Sequence, residues 1–133
     1  MRKLELITHQ LMDTLCQKAE ETPRLRMNHN FHPTLDDKVQ RFLNAMEPGT
    51  VIDIHHHKVD EMLILLQGSV KVLLYNDDKE IIDEAILSAK TENYGVQMPA
   101  NVWHTVECLE PHTVLFEVKE GPFIKHEDSG ILK

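Results

Sequence analysis

Three consecutive histidines, His55, His56 and His57, with Glu61 shortly after, are the residues of this 133-residue chain best suited to chemistry. They lie between Gly49 and Gly68 in the stretch GTVIDIHHHKVDEMLILLQG. In an extended strand successive side chains alternate between faces, so His55 and His57 share one face with Asp53 and His56 takes the other. A short turn through Lys58, Val59 and Asp60 leads to Glu61, and MLILLQ after it reads as a second strand. A hairpin there returns Glu61 to the side of the two in-phase imidazoles. Far downstream, His104 follows a turn at Pro99-Ala100-Asn101 and opens another strand. His55, His57, Glu61 and His104 together are a donor set for one divalent transition-metal ion: Fe, Mn, Zn, Ni and Co all accept imidazole and carboxylate ligands. Three neutral imidazoles and one carboxylate leave a divalent ion with a single net positive charge. Open coordination positions would then take water or a small anionic or diol-bearing ligand.

Other candidates stand beside this set. The segment PRLRMNHNFHP, Pro23 to Pro33, looks extended. Arg24, Arg26, Asn28, Asn30 and His32 fall on one face, and Leu25, Met27, His29 and Phe31 on the other. If this segment enters a barrel near the metal, Arg26 and Asn28 would bind substrate and His29 would transfer a proton. The bland alternative is a solvated edge strand. Asp53 either orients an imidazole or sits on the rim. His56 and Trp103 point away from the ligand face; His56 reads as an exposed or core-satisfied histidine and Trp103 as packing. Cys108 is in phase with His104 but has no neighbour that would lower its pKa, which favours an inert thiol. Met62 and Met98 either line the cavity or, as methionines usually do, fill the core, and Glu117 either pairs with Arg26 or faces water.

The elements that must position these residues can be read in order. Residues 9–21 form a helix with Leu11, Leu15 and Ala19 on its apolar face, capped by Thr8 and stopped by Pro23. Residues 34–46 are expected to form a second short helix, with Thr34 and Asp37 as a capping pair and Leu35, Val39, Phe42 and Met46 as its stripe. From 50 to 118 the pattern switches to short strands separated by turn residues, including a hairpin turn at 76–79. Such a run argues for an antiparallel sandwich or barrel. The expected organisation is one domain: a helical and extended segment over 1–48, a barrel over 49–123, and a polar tail over 124–133 in which Ile131 and Leu132 are apolar residues suited to dock either on the barrel or on a partner.

The spacing Gly49-x5-His55-x-His57-x3-Glu61-x6-Gly68 resembles the first motif of the cupin superfamily at every position. Gly95-x3-Pro99-x-Asn101-x2-His104-x3-Cys108 is similar to the second motif, Gly-x5-Pro-x-Gly-x2-His-x3-Asn, with a shorter leading spacer, Asn101 for the second Gly and Cys108 for the Asn. Asn tolerates positive φ, so Asn101 can still make the turn. Arg26-Met27-Asn28-His29, Val39-Gln40-Arg41 and the run from Phe116 to Phe123 further resemble the WbuC family of small bacterial cupin metalloproteins. The resemblance spans roughly residues 24–123. It implies a mainly β chain, a cupin double-stranded β-helix (jelly-roll barrel) with N-terminal helices, and a link to surface-polysaccharide biosynthesis.

Composition narrows the partners. A net charge of −8 argues against nucleic acid and anionic membrane surfaces. No apolar run reaches the roughly 20 residues a membrane span needs, and the N-terminus lacks the pattern of a signal peptide. Two cysteines, Cys16 and Cys108, are expected to stay reduced, which points to the cytoplasm. An exposed sheet edge and the first helix both ask for cover, so a homodimer is expected. No Ser-His-Asp arrangement, phosphate loop or second carboxylate pair is evident. Two functions remain open: an enzyme acting on a small polar, sugar-derived substrate, and a non-catalytic module that binds or senses a small polar or anionic ligand through the metal.

Overall fold

A computed structural model describes residues 3–125 and 130–133. The expected tail over 126–129 lies outside the described residues. Helix α1 (His9–Glu21) forms where the sequence predicts it, and the Thr8 side chain accepts from the Leu11 N–H at 3.0 Å. Eight strands follow: β1 (Arg26–Asn30), β2 (Val39–Met46), β3 (Glu61–Gln67), β4 (Val70–Tyr75), β5 (Ile81–Leu87), β6 (Gly95–Met98), β7 (Trp103–Cys108) and β8 (Thr113–Glu120). They make two antiparallel sheets, a five-stranded one ordered β1-β2-β8-β3-β6 and a three-stranded one ordered β5-β4-β7.

The main core fills the space between the sheets. Met46, Leu63, Val70, Val72, Leu87, Val106 and Leu115 all converge there, contributed by strands of both sheets. A second cluster covers the outer face of the larger sheet, where Leu15, Cys16 and Ala19 of α1 pack on Leu43, Ala45 and Val114. Each fully buried aliphatic side chain contributes about 1.5–3 kcal/mol over its exposed state. Among the described residues no helix is long and apolar enough to cross a membrane.

Residues 34–46 are not a helix. Thr34 to Asp37 form a turn, with the Asp37 N–H donating to the Thr34 carbonyl at 3.2 Å, and β2 runs from Val39. β2 is central, paired with β1 on one side and β8 on the other. It is buried on both faces, Phe42 and Met46 inward and Leu43 and Ala45 under α1. A strand covered on both faces loses its alternation and reads like an amphipathic helix. The segment before Gly49 therefore supplies two strands of the large sheet as well as the helix packed on it.

The histidine stretch also departs from a regular strand. Residues 51–57 form no ladder: among the described residues their β-bridges are the isolated ones of His55 with His104 and with Ile131. Side chains take the carbonyls that a ladder would use. The Arg26 guanidinium donates to the Val51 carbonyl at 2.7 Å, Thr105 Oγ1 to that of Ile52 at 2.6 Å, and His55 Nδ1 to that of Asp53 at 2.7 Å.

Candidate metal centre

The glycines that frame the motif both sit at positive φ, +98° at Gly49 and +82° at Gly68, a region that only glycine enters freely. Asn101 makes its turn at φ 63°, and its N–H donates to the His57 carbonyl at 2.7 Å. That bond docks the loop before β7 onto the histidine stretch. Asp60 adds a second tie by accepting from the Ala100 N–H at 2.8 Å. His104 is thereby carried to His55 and His57.

The three imidazoles converge. Ligand atoms of His55, His57 and His104 all lie within 4.8 Å of one another, and the ring centroids of His55 and His104 are 4.3 Å apart. A metal bound at about 2.0–2.1 Å from each nitrogen would draw them to about 3–3.5 Å, a small closure. The donor chemistry fits. His55 Nδ1 faces the Asp53 carbonyl and His104 Nδ1 the Val102 carbonyl at 2.9 Å. A carbonyl only accepts, so Nδ1 carries the proton in both rings, and Nε2 is the atom that each would offer a cation. This is the backbone orientation that metal-binding histidines use. The orienting group at Asp53 is its main-chain carbonyl rather than its carboxylate. These three histidines can hold a divalent metal ion.

Glu61 is buried at the first position of β3, its Oε2 3.6 Å from His57 Nε2. Lys119, its partner across β8, places Nζ 3.6 Å from the same oxygen. Burial pushes the Glu61 carboxyl up from its ordinary range, and Lys119 opposes that shift.

The histidines open onto a cavity of about 220 Å³ between the sheets, which Glu61 also lines. Arg26 and Asn28 reach it from β1, as their shared face requires. His29 does not. It lies on the opposite face of β1 with Met27 and Phe31, its ring 5.1 Å from that of Phe31 and turned toward the helix side of the sheet. Strand alternation prevents Asn28 and His29 from serving one cavity. Glu117 of β8 takes the place beside Arg26 and Asn28. It is buried, faces the cavity, and accepts from Asn44 Nδ2 at 2.8 Å. Burial, and then the nearby Glu61 charge, push its carboxyl up to about 8.

Asn44 and Lys119 are cavity residues without a sequence signal. Asn44 was hidden by the helical pattern of its segment, and Lys119 by its place near a strand end. Cys108 belongs to the core, donating toward the Met46 and Glu110 carbonyls, and burial raises its pKa. Trp103 donates to Asp77 at 2.7 Å and packs on His56, away from the ligands. Ile131 does dock: its segment pairs with the histidine stretch, and its side chain helps wall the cavity.

This architecture is the cupin fold. Similar solved structures include KdgF from Halomonas sp., at TM-score 0.58 and 18% identity over 75% of this chain and 82% of that one. A cupin superfamily protein from Desulfitobacterium hafniense matches at TM-score 0.58 and 14% identity, covering 71% of this chain and 76% of the other. Oxalate decarboxylase of Bacillus subtilis, described with Mn(II) centers, matches at 0.57 and 14%, over 81% of this chain and 27% of its own. No curated protein matches the sequence. The family described as Domain of unknown function (DUF6016) matches residues 7–87, and the chain belongs to it.

Proposed function

We propose that this chain is a metal-dependent cupin in which His55, His57, His104 and Glu61 hold one divalent transition-metal ion. Its substrate would be a small anionic or polar molecule bound at the Arg26, Asn28 and Lys119 side of the cavity. The observation that carries this reading is the convergence of three imidazoles, two of them fixed by backbone carbonyls with Nε2 as the donor. The Mn(II) centers of the Bacillus subtilis oxalate decarboxylase make manganese the first ion to try. The resemblance to the WbuC family favours a sugar-derived substrate from surface-polysaccharide chemistry.

The metal, when bound, would polarise a carbonyl or hydroxyl oxygen of the substrate. The chain's own residues would do the rest. Arg26 and Lys119 attract the anion, and Asn28 offers a neutral hydrogen-bonding group. Glu117 takes the role that His29 cannot fill, holding or releasing a proton at its carboxyl inside the cavity while Asn44 fixes its orientation. A buried titratable group in this place favours an enzyme over a non-catalytic binding module. A homodimer and a cytoplasmic location complete the reading. Met62, Ile64 and Leu66 of β3 leave an exposed apolar strip to support the first, and two free thiols support the second.

Elemental analysis of the purified protein beside its His57→Ala variant tests the cage. The variant should hold one metal equivalent fewer than the native chain. An unchanged metal content in His57→Ala would remove His57 from the site. With metal loaded, a panel of hydroxy acids and sugar acids then separates turnover from binding, and Glu117→Gln should bind them without turning them over.

A further inference from the structure

Away from the barrel cavity, a second set of metal-ligating side chains meets where α1 lies on the large sheet. The Cys16 thiol, the Glu47 carboxylate and the His112 imidazole bring ligand atoms within 4.8 Å of one another. They come from three separate places: α1, the residue after β2, and the β7–β8 loop. Glu20 lies one helical turn beyond Cys16, on the same face of α1. Its Oε1 is 2.5 Å from His112 Nε2, and Glu47 Oε1 is 3.9 Å from that nitrogen.

The cluster has a closed floor and an open side. Cys16 is fully buried and Glu47 nearly so, whereas the side chains of Glu20 and His112 are each 48% exposed. The His112 backbone is held in place from both sides. Its N–H donates to the two Glu47 oxygens at 3.0 and 3.1 Å, and its carbonyl accepts from Gln67 Nε2 at 2.9 Å. The same Gln67 amide lies 3.9 Å from Cys16 Sγ. An ionised carboxylate has about four acceptor sites, so Glu47 can keep its main-chain bonds and still ligate a metal.

We propose that Cys16, Glu20, Glu47 and His112 form a zinc site that fastens helix α1 to the sheet. One sulfur, one nitrogen and two carboxylate oxygens are a donor set zinc accepts, in its usual fourfold coordination. Bonds of about 2.0–2.3 Å put the donors about 3.3–3.8 Å apart, so the Cys16, Glu47 and His112 atoms close slightly while the Glu20–His112 pair opens, adjustments that the two half-exposed side chains can supply. The surroundings favour a cation. Burial, followed by the charges of Glu47, Asp13 and Glu20, pushes the Cys16 thiol up to about 11. A divalent ion reverses that balance: the Cys16 S–H bond breaks, the proton leaves to solvent, and the thiolate pair forms the metal–sulfur bond. The ion then joins α1 to β2 and to the β7–β8 loop, adding to the apolar contact of Leu15 and Ala19.

Cobalt titration of the metal-free full chain tests this site independently of the barrel. None of the barrel ligands is a thiolate, so thiolate-to-cobalt charge-transfer absorption reports the α1 site alone. The native chain and Cys108→Ser should both show that band with two cobalt equivalents bound, and His57→Ala should keep it. Cys16→Ser should lose it and bind one equivalent fewer. His112→Ala and Glu20→Gln, at half-exposed positions that tolerate change, should weaken cobalt and zinc at this site by about tenfold or more. They should also cut the zinc-dependent rise in Tm to the part that the barrel site supplies. A saturated native protein without the thiolate band would overturn the proposal, as would a band and affinity unchanged in His112→Ala. Loss of the barrel equivalent in any variant with the band intact bears on the barrel reading only.

Discussion

His55 and His104, far apart in the chain, are joined by two backbone hydrogen bonds. The His55 N–H donates to the His104 carbonyl at 3.0 Å, and the His104 N–H returns to the His55 carbonyl at 2.8 Å. This closed pair fixes the two residues side by side before any metal arrives. With their Nδ1 atoms held by the Asp53 and Val102 carbonyls, neither ring has to be ordered by the ion. Pre-ordering of this kind raises affinity by lowering the entropy lost on binding.

It follows that losing one imidazole should leave the scaffold standing. His104→Ala keeps both backbone bonds and removes only the ring. We expect the variant to fold, with β7 still paired to β4, and to bind manganese or zinc at least about tenfold more weakly than the native chain. Metal titration followed by calorimetry, with far-ultraviolet circular dichroism as the check on folding, measures both. Native affinity in His104→Ala would exclude the ring from the site.

Much of the barrel and its histidines was legible because the physics is local. Glycines at positive φ, alternating histidines and an Asn that tolerates φ 63° each announce themselves within a few residues. What escaped depends on distant partners. β2 looks helical because α1 covers one face of it and the opposite sheet the other, and neither cover is visible in its own eight residues. Misreading β2 hid Asn44, and with it the group that orients Glu117. Strand alternation alone puts His29 with Met27 and Phe31, but which face looks into the barrel is decided by the packing of those two residues under α1.

Gly68 tests the framing of the motif. A Cβ there would stand 2.2 Å from Thr113 Oγ1 and 2.7 Å from its Cα, on backbone already at φ +82°. Gly68→Ala combines a left-handed conformation with a steric clash and should destabilise the chain by about 2–5 kcal/mol. Urea denaturation reads this directly. A loss below the ~1 kcal/mol typical of a point substitution would mean the turn relaxes.

Glu117 gives the metal-free protein a pH dependence of definite sign. Its carboxyl is raised in the folded state from 4.5 to about 8. Below the unfolded value both states are protonated and burial carries no ionisation penalty. Between that value and about 8 the unfolded chain loses its proton first, so the folded state is progressively disfavoured as pH rises. Glu117→Gln removes the titration. Relative to the native chain, the variant should gain on the order of a few kcal/mol between pH 5 and pH 8.5. Chemical denaturation in chelator at the two pH values checks it, and parallel pH profiles for the two proteins would contradict the assignment.

Lys119 decides whether Glu61 belongs to the cage. The lysine and His57 approach the same Glu61 oxygen, each at 3.6 Å, so lysine and metal compete for one buried carboxylate. Removing Lys119 leaves a buried carboxylate without its counter-charge, which destabilises the metal-free chain by about 3–5 kcal/mol if the carboxyl stays ionised. A bound cation restores the compensation, so Lys119→Met should bind metal more tightly, by about tenfold, and gain more in Tm on loading than the native chain. Losing a positive charge near the site would strengthen cation binding even if Glu61 were not a ligand. The double-mutant cycle with Glu61→Gln separates the two effects. If Glu61 ligates the metal, the affinity gain from Lys119→Met should vanish in the Glu61→Gln background. If the gain is the same in both backgrounds, it is a field effect, and the cage is the three histidines alone.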